Sequence, residues 1–163
     1  MNQEHVAPDM SSKERFTSLL GKVMLNCGIL EFLTTLHIDW LAHDPVLSDE
    51  IGVLDFSRRI DVLSKLLQKR RSLPPKEIKS LCDELRHIAA RRNEIAHNPI
   101  WHDEHDIPYI MVVRRISDFR KDKRVTEKDL RSLLVETQAA LKKMNALPVD
   151  PSEPQANHSG KTG

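Results

Sequence analysis

Apolar residues recur every three or four positions through four stretches of the chain, which is the spacing of one buried face on an α-helix. In the first stretch they stand at positions 16, 20, 23, 27, 30, 38 and 41, so a long helix is predicted to about residue 42. Ser11 or Ser12 can cap its start. Gly21 and Gly28 either weaken this helix, each by roughly 1 kcal/mol relative to Ala, or permit close packing of another helix.

Three further helices follow, each with a recognisable start or stop. The second is predicted from about Phe56 to Arg71, with one apolar face and a strongly basic opposite face. Two prolines stop it and begin the third helix near Pro75, and Pro99 ends that helix after residue 98. Thr126 caps a fourth helix, which runs to about residue 144 with inward-facing leucines at 130, 133, 134 and 141.

These elements predict an all-α fold, and their modest connections favour a four-helix bundle. The β-prone residues 109–113 (YIMVV) allow a short extended segment or hairpin between helices three and four. A lone hairpin is marginally stable, so it is interpreted as an addition to the helices. Residues 1–11 are expected to be a flexible lead, residues 12–146 the helical domain, and residues 147–163 a disordered tail rich in Pro, Ser, Asn and Gly.

The composition is that of a folded, water-soluble protein, with 39% apolar and 30% charged residues. Cys27 and Cys82 both fall on apolar helix faces, so they are expected to be reduced core residues of a cytoplasmic protein. The polar N-terminus does not resemble a signal peptide, and no apolar run reaches the ~20 residues of a membrane span. No membrane association is therefore expected.

Charge is unevenly distributed along a chain whose formal net charge is +1. Residues 1–56 contain three Lys/Arg and nine Asp/Glu, whereas residues 57–100 contain eleven Lys/Arg and five Asp/Glu. Such a basic block indicates an anionic partner. The alternative is that the block pairs with the acidic first third of the same chain.

One residue interrupts the apolar face of the third helix. Arg92 stands where the spacing predicts an aliphatic residue, among Ile78, Leu81, Leu85, Ile88 and Ile95. Because a buried guanidinium without a partner is costly, Arg92 must either have an anionic partner or face a cleft. Glu31 on the first helix is one candidate partner, although a partly exposed boundary position is its more ordinary interpretation.

A neighbouring face of the same helix combines small and polar side chains, namely Cys82, Ala89, Asn93, Ala96 and His97. The small residues permit close approach by another helix. Asn93 and His97 are four residues apart and share a face. Arg92 lies about 140° round the helix from His97, but its side chain is long enough to reach the same pocket.

The segment Arg92-Asn93-Glu94-Ile95-Ala96-His97 resembles the signature of the HEPN superfamily, the higher eukaryote and prokaryote nucleotide-binding domains. The order of a long first helix, a basic second helix and a signature late in a third helix is also similar to that superfamily. The resemblance covers about residues 12–146.

The resemblance implies a metal-independent endoribonuclease without a cofactor, or an RNA-binding domain. Arg92 and His97 match the catalytic pair, and Asn93 matches the polar position beside the arginine. It also implies a homodimer in which two signature segments face one shared cleft. By analogy with the superfamily, the chain would be the toxin of a bacterial toxin–antitoxin pair, with a nucleotidyltransferase-type antitoxin.

These residue types suit RNA cleavage by the 2′-hydroxyl adjacent to the scissile phosphate. A histidine titrates near neutral pH, so it can move a proton at that hydroxyl or at the leaving 5′-oxygen. An arginine offers a permanent charge and a planar fork to phosphate oxygens. Asn93 can hold the histidine ring or a phosphate oxygen. The products would be a 2′,3′-cyclic phosphate and a 5′-hydroxyl.

Other interpretations stay open beside this one. An arginine and a histidine late in a helix can simply pair with acids or stabilise the helix C-terminus. The chain would then be a non-catalytic helical interaction or nucleotide-binding module. Residues 102–106 (HDEHD) gather metal-ligand types, but no cysteine joins them, so a solvated loop is favoured over a zinc site. A catalytic site requires Arg92, Asn93 and His97 to be open to a cleft.

Overall fold

The computed structural model describes residues 10–43, 50–113 and 123–147, and 73% of these residues are helical. Most of them lie in α1 (Ser12–Ala42), α2 (Phe56–Arg70), α3 (Pro75–Ala96) and α4 (Glu127–Asn145). Three short strands lie between α3 and α4, namely β1 (Ile100–His102), β2 (Pro108–Val112) and β3 (Lys123–Val125). The expectation of a mainly helical fold is confirmed. The expected lead and tail lie almost entirely outside the described residues.

Capping interactions fix the starts of three helices. At α1, the Ser11 hydroxyl accepts a hydrogen bond from the Glu14 backbone N–H, and the Glu14 carboxylate accepts one from the Ser11 N–H at 2.8 Å. Thr126 and Asp129 form the same capping box at α4, as the sequence predicts. Asp55 caps α2 by accepting from the backbone N–H three residues on, at 2.9 Å. This last cap was not predicted.

One hydrophobic core joins the helices. α1 packs against α2 and α4, α2 packs against α3, and α3 packs against α4. The buried face of α2 is the predicted one, and the aliphatic face of α3 is also buried as predicted. On α4 the four predicted leucines all pack on the core, although Leu134 and Leu141 are only half-buried. Thr137 and Ala140 also lie in the core, which the prediction did not include.

The three strands form an antiparallel sheet with β2 at its centre. Ile110 of β2 pairs with Ile100 of β1 and with Val125 of β3. Ile110, Val112 and Val125 are buried in the common core, where the sheet packs on α1, α3 and α4. The predicted extended segment is confirmed, but its interpretation as a mere addition was wrong. A third strand and a buried face stabilise this sheet where a lone hairpin would be marginal.

α1 carries a second apolar face that no described residue covers. Leu25 and Phe32 each keep 64% of their surface exposed, and Ile29 keeps 39%. Gly21 and Gly28 lie on the same face, and a methyl group built on either would contact nothing within 4 Å outside the local helix backbone. The glycines therefore do not mediate close packing within the described part of the chain.

By length and composition, α1 is the one helix in the described ranges that could cross a membrane. A core helix of a water-soluble protein meets the same test, and nine residues of α1 are buried here. The exposed apolar face of α1 also contributes to the apolar composition of this helix. The length and composition of α1 therefore do not assign a location to the protein.

His37 of α1 is the one buried histidine among the described residues, with 4% of its surface exposed. Its Nε2 donates to the backbone oxygen of Met144 at 2.9 Å, which ties α1 to the end of α4. Its Nδ1 is buried and has no hydrogen-bond partner among the described residues. Burial lowers the pKa of His37 from its ordinary value of 6.5, and the bond to Met144 opposes that shift.

We expect His37 to make the fold sensitive to acid. Because its pKa is lowered in the folded state, the unfolded chain binds the proton more readily, so stability is lost as the pH falls below about 6.5. His37→Gln keeps a donor for Met144 but cannot titrate, so its melting temperature should fall less between about pH 7.5 and pH 5. His102→Gln, which removes an exposed histidine of β1, is the control. The same acid sensitivity in all three proteins would contradict this expectation.

Candidate functional site

The last turn of α3 forms one wall of an open cleft of about 540 Å³. α3 and the residue after it contribute Arg92, Asn93 and His97, and α1 contributes Glu31. The start of α2 forms the remaining wall, with Asp55, Phe56, Ser57 and Arg59. The three site residues predicted from the sequence therefore share one cleft.

Arg92 has both an anionic partner and an opening beside it. Its Nε lies 3.6 Å from Glu31 Oε1, and the two side chains are 32% and 23% exposed. Its Nη1 donates to Asn93 Oδ1 at 3.2 Å. Glu31 is therefore both the partly exposed boundary residue that the sequence indicates and the candidate partner of Arg92. Asn93 contacts Arg92, a contact the sequence analysis did not predict.

Cys27 lies beside the ion pair of Arg92 and Glu31. Burial raises the pKa of its thiol to about 11, and Arg92 offsets this only in part. Cys27 is therefore a neutral thiol at physiological pH and not a nucleophile. Cys27 and Cys82 are both free and buried, as predicted.

The small residues on α3 do not form a free surface. Cys82 and Ala89 are 1% and 2% exposed and belong to the core of this chain. Ala96 and the polar residues of that face are exposed at the end of the helix. Close approach to another helix therefore occurs within the chain at Cys82 and Ala89.

His97 ends α3 and is exposed to the cleft. Its backbone N–H donates to Asn93 O at 3.3 Å, but its own backbone is no longer helical. The helix stops two residues before the predicted end, because Asn98 folds back and donates through Nδ2 to Glu94 O at 2.7 Å. Asn98 Oδ1 accepts from Val113 N at 2.9 Å. These two bonds fix the backbone next to His97.

A further ion pair connects the segment Arg92–His97 to the sheet. Lys123 Nζ of β3 lies 2.6 Å from Glu94 Oε2, whose side chain is 14% exposed. Glu94 thus has a structural role, and nothing in the sequence pattern assigned it one. Asn98 did have a signal in the sequence, because it precedes Pro99 at the predicted helix end and an Asn-Pro pair is typical of a turn.

Arg59 is the main cleft residue that sequence reasoning missed, having been placed only on the basic face of the second helix. Its Nε donates to Leu54 O at 2.8 Å, and its Nη1 donates to Thr35 Oγ1 at 3.1 Å. Among the described residues, no carboxylate forms a salt bridge with it. The basic block pointed to this region, but no pattern separates Arg59 from its basic neighbours.

The cleft is lined by two guanidinium groups, of Arg59 and Arg92, and by two carboxylates, of Glu31 and Asp55. Glu31 pairs with Arg92, and Asp55 lies 3.5 Å from Arg58 while it caps α2. In the described ranges, these two ion pairs join the acidic first third to the basic block. Part of the block is therefore paired with the acidic N-terminal region.

Residues 103–106 form an ordered turn between β1 and β2. The Asp103 carboxylate accepts from Ile107 N and from His105 N, each at 2.9 Å. The bond from Ile107 is the largest cause of the lowered pKa of Asp103. The interpretation as a solvated loop is confirmed for these residues, whereas His102 belongs to β1. The described part of the chain contains no group of three or more residues able to hold a metal ion.

No family model, curated protein or solved structure matches this chain. The resemblance to the HEPN superfamily therefore rests on the segment Arg92–His97 and on the helix order alone. Any assignment of function must be argued from the chemistry of the cleft.

We expect Arg92→Leu to leave the stability of the fold nearly unchanged. A partly exposed ion pair contributes about 0–1 kcal/mol, and leucine continues the aliphatic face of α3. The melting temperature should therefore stay equal or rise, and Glu31→Gln should behave similarly. If Arg92→Leu instead lowered the free energy of unfolding by more than about 2 kcal/mol, Arg92 would be a structural residue rather than a cleft residue.

Proposed function

We propose that this chain is a cytoplasmic, metal-independent endoribonuclease similar to HEPN proteins, in which the four helices form a four-helix bundle. The observation that carries the proposal is the shared cleft of Arg92, Asn93 and His97. A permanent cation and a side chain that can transfer a proton are the two components that cleavage of RNA by its own 2′-hydroxyl requires.

In the proposed reaction, His97 removes the proton from the 2′-hydroxyl, and the 2′-oxygen forms a bond to the adjacent phosphorus. The bond from phosphorus to the 5′-oxygen breaks, and that oxygen receives a proton from an acid. The products are a 2′,3′-cyclic phosphate and a 5′-hydroxyl. Arg92 stabilises the negative charge that grows on the non-bridging oxygens.

Glu31 must separate from Arg92 when a phosphate binds. It holds Arg92 in the cleft in the absence of RNA, and its partial exposure makes their separation inexpensive. A phosphate can accept two parallel bonds from a guanidinium, as a carboxylate can. Asn93 keeps its contact with Arg92 Nη1 and helps to orient the guanidinium group.

We further propose that two copies of the chain pair through the exposed face of α1. This face contains three large apolar side chains (Leu25, Ile29 and Phe32) and two glycines with open space beside them (Gly21 and Gly28). The large side chains of one copy can therefore pack over the glycines of the other. It adjoins Glu31, which lines the cleft. A second copy would add a second His97, so that one histidine acts as the base and the other as the acid.

A toxin–antitoxin role, with a nucleotidyltransferase-type antitoxin, is proposed by analogy with the superfamily alone. The rival function is a non-catalytic interaction or nucleotide-binding module. It is favoured by the pairing of Arg92 with Glu31 and by the uncovered apolar face of α1. The two functions differ in what they require of His97.

We expect His97→Ala to reduce RNA cleavage by roughly 10²-fold or more, the usual effect of removing a general acid or base. Binding of a 2′-O-methyl RNA, which cannot be cut, should change far less than cleavage, because Arg92 still contacts the phosphate. His87→Ala is the matched control, since His87 lies on the same helix and is exposed away from the cleft. Cleavage is measured on labelled RNA in the presence of EDTA.

Full activity of His97→Ala would remove this residue from the chemistry and favour the interaction module. Cleavage that is lost in EDTA and restored by a divalent cation would contradict the metal-independent mechanism. Wild-type protein that binds RNA without cutting it would likewise support the rival function.

The dimer proposal can be tested by sedimentation at micromolar concentration. Wild type should sediment at about twice the chain mass, and Phe32→Glu should sediment as a monomer because it buries a charge in the shared face. Val135→Glu is the control, since Val135 of α4 is 65% exposed but lies on another surface. A wild-type monomer, or an unchanged mass for Phe32→Glu, would overturn this interface.

A further inference from the structure

We propose that Arg59 is a second phosphate-binding residue of the cleft, which holds a phosphate next to the one bound by Arg92. The identity of the ligand as RNA rests on the proposed function, whereas the anion site itself does not. The inference comes from three properties of Arg59, namely its location, its fixed position and its unmatched charge.

Arg59 lines the same cleft as Arg92 and His97, although it belongs to a different helix. It stands one turn into α2, whose first residues form the opposite wall. The two arginines therefore approach the same volume from two elements. A cleft of about 540 Å³ is larger than one phosphate group requires, so it has room for a nucleotide with its flanking phosphates.

The guanidinium group of Arg59 is fixed by two hydrogen bonds. One goes to the backbone oxygen of Leu54, just before α2, and the other to the hydroxyl of Thr35 on α1. An arginine has five N–H donors, so these bonds leave others for a ligand. A guanidinium held in this way loses little further conformational entropy when an anion binds.

The charge of Arg59 is also unmatched within the described ranges. Both of its hydrogen-bond partners are neutral oxygens, whereas Arg92 in the same cleft has Glu31 within 3.6 Å. A partly buried cation beside an opening gains most when an anion replaces water. Arg59 is therefore the cation of this cleft that is ready to accept a phosphate without first losing a carboxylate.

The surroundings of Arg59 favour an anion on balance. Ser57 and the start of α2, which carries the positive end of the helix dipole, line the same cleft. The Asp55 carboxylate opposes this, but Asp55 is largely exposed to solvent and accepts the cap bond from the Arg58 backbone N–H. Arg92 and Arg59 together supply two cations, of which Glu31 offsets one.

The experiment compares two neighbouring arginines of α2. Arg59→Met and Arg58→Met each remove one charge, but Arg58 is 72% exposed and does not line the cleft. With fluorescent 2′-O-methyl RNA, Arg59→Met should weaken binding by roughly tenfold or more and reduce the slope of log affinity against log salt by about 0.7. Arg58→Met should change affinity by less than about twofold.

A second variant separates binding from folding, because Arg59 also ties α1 to α2. Arg59→Lys keeps the charge but lacks the planar fork, so it should retain the salt slope, weaken binding partially and melt close to wild type. If Arg59→Met binds RNA like wild type, or if both methionine variants lose affinity equally, the proposal is overturned. Equal affinity of Arg59→Lys and wild type would also contradict a bidentate contact.

Inorganic phosphate distinguishes this proposal from the ribonuclease proposal. Titration should shift the Arg59 Nε–Hε resonance in the NMR spectrum, whether or not the protein cleaves RNA. A shift without RNA cleavage supports the anion site and contradicts the ribonuclease. Cleavage by a protein whose Arg59 signal does not respond supports the ribonuclease and overturns the anion site.

Discussion

The position of Arg92 within the aliphatic face of α3 is the constraint on which the candidate site depends. The guanidinium group of Arg92 stays partly exposed at the edge of the aliphatic side chains, where Glu31 of α1 supplies an anionic partner. The core therefore ends at this pair and does not close over it. Because Asn93 and His97 lie next to Arg92 at the end of the same helix, the opening that accommodates Arg92 also exposes both of them.

The small sheet holds this end of α3 in place. Asn98 connects the helix end to the residue after β2, and Glu94 connects it to Lys123 of β3. Both connections begin within or directly after the signature segment, so a displacement of the sheet would also move His97. The buried residues of β2 and β3 belong to the same core as the helices, which makes the sheet a rigid support. A lone hairpin would not supply that rigidity.

Local signals account for what the sequence predicted. Helix starts follow from capping residues, and helix faces follow from a spacing that spans only a few residues, so α1, α2 and α3 were assigned closely. The irregularity at Arg92 is local as well, and it led to the cleft. Arg59 could not be found in this way, because its place in the cleft depends on how the start of α2 lies against the end of α3. The core positions of Thr137 and Ala140 were not predicted, because Thr137 is polar and the side chain of Ala140 is small.

The number of titratable groups in the cleft bears on why a second copy would matter. Cleavage of RNA by its 2′-hydroxyl needs one proton removed and one donated on opposite sides of phosphorus, and one imidazole cannot reach both oxygens at once. The other titratable cleft residues are Glu31 and Asp55, which are paired with Arg92 and Arg58. Within one chain, the second group would have to be Glu31, freed when a phosphate takes its place on Arg92. In the proposed dimer, a second His97 would perform that step, and Glu31 would be needed only to position Arg92.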